Sequence, residues 1–423
     1  MPDTTPPAGH ATAGDRPALI ALAVLTEPGT RDIGALVHTA GAADALARIV
    51  TGRDVHPLVT RHAHDRLRTL GVALPRPAGA AAISRLAWDL TDQVTAVTGR
   101  LGARIVTSTD DEWPAALRTA GGAAPLQVPF AVWLRGPLRL TDALHHAVAV
   151  TGARAMSEYG AYVASQFGYQ LAEQGWTVVS DGSLGIASVA NQAALTAAGG
   201  VTAAVTADGL DRLSPAANTA TLERLGAEGL LVSVAAPGVY ATRAIARSRN
   251  WLVAAATAGT VLVEAGRRST ARQTLGYARM LGRAAMAVPG PITSAMSAGT
   301  HLELRHPGTT LVTDTAMVID AVTQPAPPTT AAAGGAGGTV YLLRWDQAED
   351  GVHCFVLASR AGAERLRDTL IREYWYKVAR YSEVPAVPPS DAAAALTLWH
   401  DANEEHADPD VGSFTIEPAQ VQE

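Results

Sequence analysis

Residues 243–289 read RAIARSRNWLVAAATAGTVLVEAGRRSTARQTLGYARMLGRAAMAVP, and they carry the clearest pattern of secondary structure in the chain. A helix-like run, RSRNWLVAAAT, precedes a short apolar strand at Thr260–Val263. A turn containing Glu264 and Gly266 follows, then an arginine-rich helix and a second apolar strand that ends at Pro289. Two apolar strands joined by a helix are typical of neighbours in a parallel sheet. The stretch therefore predicts an α/β fold.

The same stretch concentrates positive charge. It holds eight arginines and one acid, Glu264, in a chain whose formal net charge is −6. Because the arginines cluster around predicted strand ends, where open α/β sheets bind ligands, they favour contact with a polyanion over a purely solvated role. Lys377 is the only lysine of the chain, so nearly all positive charge is on guanidinium groups, which bind phosphate bidentately. A codon bias towards GC-rich codons would give the same preference for arginine.

Strands and helices alternate from about His146 to Asp314. The segments HAVAVTGAR, WTVVSDGSLGI, VTAAVTADGLDRL and LLVSVA have the apolar character of buried strands, and a segment with helical spacing follows each. The opening stretch supplies the fifth and sixth strands. This alternation predicts a Rossmann-like, doubly wound parallel sheet. The GxGxxG dinucleotide fingerprint is absent, since the first loop, TGAR, has one glycine and an arginine; NAD and FAD are therefore not expected, and no other cofactor is predicted.

Changes in amino-acid composition predict the domain boundaries in the rest of the chain. Helical spacing of apolar residues dominates the region before the predicted sheet, and a Pro- and Gly-rich stretch follows it. The last 23 residues hold seven acids and no lysine or arginine, which indicates a solvated segment. We predict a disordered N-terminus at 1–17, a helical domain at 18–100, an extended Rossmann-like domain at 101–322, a linker at 323–338, a small α+β unit at 339–384 and an acidic tail at 385–423.

Several function classes are disfavoured by what the sequence lacks. The single cysteine, Cys354, rules out an intrachain disulfide framework. His62 and His64 are two residues apart and would face different sides of a helix, which disfavours a metal site there. The first residues lack the basic and apolar segments of a signal peptide, and no segment has the length and purity of a membrane span. We therefore expect a cytoplasmic protein.

Six motifs follow one another in a fixed order: VTGAR with SEYG, VVSDGSLGIASVANQAAL, TADGLDRLSPAAN, RSRNWLVAAAT, VLVEAGRRSTARQT and LGRAAMAVPGPITSAMSAGT. In this order they resemble the DNA-processing protein A family (DprA/Smf) over roughly His146 to Asp314, and LGARIVTSTDDEWPAAL looks like the lead-in of actinobacterial members. Residues 18–100 are similar in pattern to the family's helical, SAM-like module. The usual C-terminal winged-helix module is not recognisable, and the unit at 339–384 stands in its place.

The resemblance implies an extended Rossmann fold that binds and protects single-stranded DNA. It further implies a homodimer that helps to load a RecA-type recombinase and needs no catalysis. Arg154 matches the arginine of the family's G-S-R loop, and Arg249 with Asn250 matches the R-N pair of the R-R-N-R-I-I-A helix. Ser180 and Ser183 lie in a glycine-bearing loop at a helix start, which suits anion binding or helix capping. The candidate DNA-binding residues are Gly152, Arg154, Ser180, Ser183, Gly185, Arg212, Arg249, Asn250, Arg268 and Ser269.

Some positions depart from the family's pattern. The loop arginine is replaced by Leu184, and Trp251 takes the place of the second arginine of R-N-R. Because each phosphate contact contributes a salt-sensitive share of binding, the loss of these two cations predicts reduced affinity for single strands. The other departures are Ala187, Asn191, Thr270 and Ala271.

We expect Arg154 and Arg249 to line one anion-binding pocket at the carboxyl ends of the strands, both outside the core. Glu264 is expected to orient the surrounding arginines, and Trp251 to belong to the core or to stack on a base. The apolar segments LLVSVA and MAVPGP could supply an edge for the dimer. The alternative is a Rossmann-like protein that binds or hydrolyses nucleotides and has lost DNA binding. The P-G-G-x-G-T-x-x-E motif of such hydrolases is missing, and no nucleophile elbow is visible, so no catalysis is predicted.

Overall fold

The computed structural model describes residues 15–75, 77–118, 128–324, 339–347, 351–357, 359–373, 375, 378–379, 381, 384–406 and 413–420. The chain divides into two compact units, Met1–Ala326 and Pro327–Glu423. Of the predicted disordered N-terminus at 1–17, residues 1–14 lie outside the described residues, as does most of the predicted linker, 325–338. The prediction is wrong at its end, because a helix already begins at Arg16 and buries Pro17.

A nine-stranded sheet forms the centre of the first unit, in the order β1-β2-β6-β5-β4-β3-β7-β8-β9. Neighbours from β6 to β9 along this order are parallel, whereas β1–β2 and β2–β6 are antiparallel. The predicted Rossmann-like sheet is thus confirmed. The strands are β1 (Ala103–Thr107), β2 (Ala131–Arg135), β3 (Ala147–Thr151), β4 (Thr177–Ser180), β5 (Thr202–Thr206), β6 (Leu230–Ser233), β7 (Gly259–Leu262), β8 (Ala284–Ala287) and β9 (Thr309–Leu311).

The central strands are short runs, mostly of Ala, Val, Leu and Thr, that are buried throughout. Burial on both faces is expected where helices cover both sides of a parallel sheet. The segment LLVSVA contains β6 and the segment MAVPGP begins with the last two residues of β8, and both are interior strands. The expectation that they supply an exposed edge is therefore wrong, because each pairs with a strand on both sides.

Helices connect and cover these strands. The helices that follow β1 are α6 (Ala115–Arg118), α7 (Leu140–His145), α8 (Glu158–Glu173), α9 (Ile186–Ala194), α10 (Thr219–Glu228), α11 (Arg243–Ala256), α12 (Ala271–Met280), α13 (Ala298–Leu304) and α14 (Thr315–Thr323). Helices α8 and α9 pack closely because Gly168 has no side chain: a Cβ there would lie 2.9 Å from the Cα of Ala190. This contact fixes the two helices that begin beside the ends of β3 and β4.

The region before β1 is helical, as predicted, but it is not separate from the sheet. Its helices are α1 (Arg16–Leu25), α2 (Arg31–Ala40), α3 (Ala42–Thr51), α4 (Pro57–Thr69) and α5 (Ala80–Arg100). Their buried residues, such as Leu19 and Leu90, belong to one hydrophobic cluster with Trp133 of β2 and Leu231 of β6. Arg16 Nε also donates to Asp110 Oδ1 at 3.0 Å. The predicted boundary at residue 100 therefore lies inside one compact unit.

The second unit is an antiparallel sheet of order β11-β10-β12 with two helices. Its elements are β10 (Thr339–Gln347), β11 (Gly351–Leu357), α15 (Arg360–Glu373), α16 (Ala392–His406) and β12 (Ser413–Gln420). The predicted solvated tail at 385–423 is wrong over α16 and β12. Trp399 is fully buried, and its ring centroid lies 5.7 Å from that of Phe414 in β12. The acidic composition of this segment predicted exposure, although its buried residues Trp399 and Phe414 complete the hydrophobic core of the unit.

Candidate nucleic-acid interface

The order of the sheet reverses beside β3. The chain proceeds from β3 through β4 and β5 to β6 on one side, and then returns to place β7 on the other side of β3. In open α/β sheets, ligands bind at such a reversal, outside the carboxyl ends of the strands. Three loops meet there: Ala153 N–H donates to the Glu264 carbonyl at 2.7 Å, and Ile186 N–H donates to the Ala153 carbonyl at 3.2 Å. These contacts join the loops that follow β3, β4 and β7, and we call the surface they form the crevice.

Gly152 and Gly185 allow these loops to touch. A Cβ on Gly152 would lie 2.8 Å from the Glu264 carbonyl oxygen, and a Cβ on Gly185 would lie 2.7 Å from the carbonyl carbon of Arg154. Gly185 also has φ +77°, which favours glycine. Both predicted site residues thus act through the backbone, by bringing Arg154 against the start of α9.

Arg154 is exposed at the crevice. Within the described residues, no hydrogen bond or ion pair holds its guanidinium group, so the predicted alternative of a salt bridge to Glu158 is not seen. Its charge acts on Asp181, whose pKa it helps to lower. Arg154 therefore presents an exposed guanidinium group, with its hydrogen-bond donors unused within the described residues, beside the loop that follows β4.

Arg249 lies beneath the crevice and is only 8% exposed. Its Nε donates to Asn250 Oδ1 at 2.9 Å, its Nη1 donates to the Asp181 carbonyl, and its Nη2 lies 3.5 Å from Asp181 Oδ2. The structure thus brings Arg154 and Arg249 to the same carboxylate. The expectation that both lie outside the core is wrong for Arg249, because helix α11 turns this residue towards the loop after β4. Asn250 is buried as well and braces the guanidinium group.

Asp181 is the acid at the centre of this cluster. Burial raises the pKa of its carboxyl, but the charge of Arg249, hydrogen bonds from the hydroxyl and N–H of Ser183, and the charge of Arg154 outweigh that effect. The pKa of Asp181 therefore lies below its ordinary value. Ser183 is largely buried, and its Oγ donates to Asp181 Oδ1 at 2.6 Å. The predicted role of Ser183 in binding an anion is thus replaced by a role in holding Asp181 ionised.

Ser180 is fully buried at the end of β4. Its hydroxyl donates to Asn191 Oδ1 and accepts from Gly182 N–H at 3.1 Å. Asn191 in turn donates to Thr202 Oγ1 at 2.6 Å. Ser180 therefore shapes the loop from below and does not face a ligand, which corrects its predicted placement at the interface. Asn191, a departure from the family's pattern, ties α9 to β4 and β5 through this network.

Glu264 and Trp251 have structural roles. Glu264 is 1% exposed, and its carboxylate accepts from Ser157 N–H at 3.0 Å and from the Ser157 hydroxyl at 2.6 Å. It therefore fixes the start of α8, where Ser157 caps Gly160, and the predicted role of orienting arginines is wrong. Trp251 is fully buried and packs edge to face on Tyr277, with 5.2 Å between ring centroids.

The loop after β7 adds further cations to the crevice. Arg267 and Arg268 are exposed, and the half-buried Ser269 accepts from Ala271 N–H at 3.4 Å, close to the start of α12. On the other side, Arg212 follows β5, and its guanidinium carbon lies 4.9 Å from the ring centroid of Tyr240. Sequence reasoning missed Tyr240, although a tyrosine next to a predicted strand end was visible in the segment APGVYAT.

Across the described residues, no group of three or more His, Cys, Asp or Glu side chains is placed to hold a metal ion. None of the helices that the structure describes is both long and apolar enough to cross a membrane. The exposed guanidinium groups of Arg154, Arg267 and Arg268 and the buried pair of Arg249 with Asp181 supply the charges described at the crevice.

Comparison with known proteins gives consistent matches. The family model described as DNA recombination-mediator protein A matches residues 104–323. The chain is 40% identical over 299 residues to DprA of Mycobacterium tuberculosis, which covers 69% of this chain and 71% of that protein. It is 34% identical over 201 residues to protein Smf of Escherichia coli, covering 47% of this chain and 52% of that protein. A solved structure of DNA processing protein A from Streptococcus pneumoniae matches with a TM-score of 0.52 and 23% identity over 74% of this chain and 98% of that one, which supports the fold.

Proposed function

The chain belongs to the DNA recombination-mediator protein A family, and on that premise we propose that it binds single-stranded DNA at the crevice. The observation that carries the proposal is the exposed guanidinium of Arg154 at the reversal of the sheet. It stands over the buried pair of Arg249 and Asp181, with Arg267 and Arg268 on the neighbouring loop. Guanidinium groups bind backbone phosphates bidentately, which suits contacts that do not depend on base sequence.

The arrangement favours a single strand over a duplex. Arg154, Arg212, Arg267 and Arg268 lie on loops along one edge of the sheet, and none of them lies on a helix that could enter a groove of a duplex. From the end of β6 to the end of β8 the edge spans five strand spacings, or about 24 Å. A narrow basic track of this kind suits an extended strand, whose phosphates it follows. Binding should therefore depend strongly on salt.

The partner, location and assembly that the family resemblance implies are part of the same proposal. We propose that the protein assists loading of a RecA-type recombinase, acts in the cytoplasm and needs no catalysis. We further propose a homodimer. The edge strand β9 supports this assembly better than β6 or β8, because it ends the described sheet and carries Leu311, which is 44% exposed.

Replacement of Arg154 tests the proposed site. Arg154→Ala should weaken binding of a labelled single-stranded oligonucleotide by about 1–3 kcal/mol, the scale of a lost charged hydrogen bond, and should reduce the salt dependence by about one phosphate contact. Fluorescence anisotropy at several salt concentrations measures both quantities. Because Arg154 is exposed, the thermal unfolding curve should not change.

Arg224→Ala is the matched control, since Arg224 is an exposed arginine on α10 that pairs with Glu228 at 2.9 Å. It should bind the oligonucleotide like the wild type. If Arg154→Ala also binds like the wild type, or if Arg224→Ala loses as much affinity, the crevice is not the DNA site.

A further inference from the structure

Tyr240 is a large aromatic side chain that is 60% exposed at the carboxyl edge of the sheet. It lies in the loop between β6 and α11, next to the loop after β5 that carries Arg212. The Arg212 guanidinium carbon is 4.9 Å from the centroid of the Tyr240 ring, a cation–π distance. The guanidinium group lies over one side of the ring, and the residue is still exposed with this cation in place.

The loop that presents Tyr240 is held in place on both sides of the residue. Asp211 Oδ1 accepts from Gly238 N–H at 2.8 Å, and Asp208 Oδ1 accepts from Ala241 N–H at 2.8 Å. Gly209 N–H also donates to the Val239 carbonyl at 3.0 Å. The exposed ring therefore has a backbone fixed by hydrogen bonds. A binding surface built this way loses little conformational entropy when a ligand arrives.

The position of this pair continues the crevice. The loops that carry Arg212 and Arg154 follow β5 and β3, which are two strand spacings apart, or about 10 Å. The loop of Asp181 and Gly185, after β4, lies between them. A strand whose phosphates contact Arg154 would therefore pass within reach of the Tyr240 ring. The two carboxylates of the loop, Asp208 and Asp211, are engaged with backbone N–H groups.

We infer that Tyr240 and Arg212 form a base-stacking subsite, in which a nucleobase of the bound single strand stacks on the Tyr240 ring. The inference rests on the proposed function. The arginines of the crevice are proposed to contact phosphates, and the inference adds a contact with a base. An aromatic face accepts every base, so the subsite binds without sequence preference. Arg212 keeps the ring in place from one side and adds a positive charge near the backbone of the same nucleotide.

Two kinds of oligonucleotide distinguish stacking from phosphate binding: a labelled single strand, and a strand of equal length whose sugars carry no bases. Tyr240→Ala should weaken binding of the base-bearing strand by roughly 5- to 150-fold and leave binding of the abasic strand within about twofold of the wild type. Tyr240→Phe keeps the ring and should bind both strands like the wild type. The salt dependence should be unchanged in both variants, since neither removes a charge.

Tyr169→Ala is the matched control. Tyr169 is 39% exposed on α8, about 16 Å along the helix from its start at the crevice, and should not affect binding. The inference is wrong if Tyr240→Ala binds the base-bearing strand like the wild type, or if it loses affinity equally for both strands. A wild-type chain that binds neither strand overturns the proposed function, and this inference with it. Binding by the wild type with no effect of Tyr240→Ala overturns the inference alone.

Discussion

Arg249 and Asp181 form a largely buried ion pair beneath the exposed Arg154. Their side chains are 9% and 14% exposed. Buried pairs of this kind contribute to stability mainly through the cost of breaking them, because removal of one partner leaves the other charged and unpaired. The pair therefore holds the loop after β4 in place beneath Arg154, whose exposed guanidinium group can contact a phosphate.

Asp181→Asn should lower the free energy of unfolding by about 3 kcal/mol at neutral pH, because Arg249 then lacks a counter-charge. The pKa of Asp181 in the folded chain lies below its ordinary value of 3.8. Its stabilising contribution is therefore complete at pH values above the ordinary pKa and is lost as the pH falls through the lower, folded-state pKa. The wild type should lose this contribution on acidification, and the variant should not.

Denaturant unfolding from neutral pH down to the acid range measures the effect. Asp89→Asn, at an exposed position of α5, is the control and should keep the wild-type pH profile. If the difference in stability between wild type and Asp181→Asn is as large in strong acid as at neutral pH, the ion pair is not its cause.

The sequence predicted the identity of the crevice residues better than their placement. The motif order identified Arg154, Gly152 and Gly185, whose positions at strand ends follow from the alternation of strands and helices. It could not show that Arg249 turns inward, because burial of a charged residue depends on its partner, and Asp181 is 68 positions away. The exposure of Tyr240 depends likewise on a loop that distant carboxylates hold in place.

At the scale of elements, the contact of α8 with α9 sets the geometry of the crevice. Both helices begin beside the strand ends that carry Arg154 and Gly185, and their backbones approach each other at Gly168 and Ala190. Any group added at this contact must move one helix. The same displacement would separate the loops after β3 and β4.

Gly168→Ala should lower the free energy of unfolding by about 2 kcal/mol, because its Cβ would meet backbone atoms of Ala190 that cannot rotate away. Gly99→Ala in α5 is the matched control: no atom lies within 4 Å of the added Cβ, and alanine favours the helix by up to about 1 kcal/mol. Thermal or denaturant unfolding compares the two. Equal stability of both variants would show that α8 and α9 do not pack through this glycine.

The alternation of apolar runs and helical segments predicted the parallel strands β3 to β8, since each central strand is buried on both faces and reads as a continuous apolar run. It did not reveal β9, whose exposed edge positions carry little apolar signal. It also did not reveal β12, because the acidic composition of the last 23 residues indicates a solvated segment and only Phe414 and Ile416 show the alternation of a strand. Both strands are defined by their partners in the sheet, which local pattern does not show.

Over the whole molecule, the positive charge at the crevice contrasts with the net negative charge of the chain. The chain is net −6, yet Arg154, Arg212, Arg267 and Arg268 are all exposed at one edge of the first unit's sheet. An acidic protein with such an edge should repel nucleic acid elsewhere and guide it to the crevice. The helices before β1 share a hydrophobic core with the sheet. The helical region and the sheet therefore form one compact unit rather than two domains, and the edge with the exposed arginines belongs to this unit.

Binding of single-stranded DNA at the crevice can be tested on the wild-type chain. It is titrated with a labelled single strand, the matching duplex and a free nucleotide, each over a range of salt concentrations. We predict that the single strand binds more tightly than the duplex, that the logarithm of its association constant falls linearly with the logarithm of salt concentration, and that the free nucleotide competes weakly. Equal affinity for single strand and duplex, or affinity that does not change with salt, would contradict the account. Tight binding of the free nucleotide without binding of the single strand would favour a nucleotide-binding protein instead.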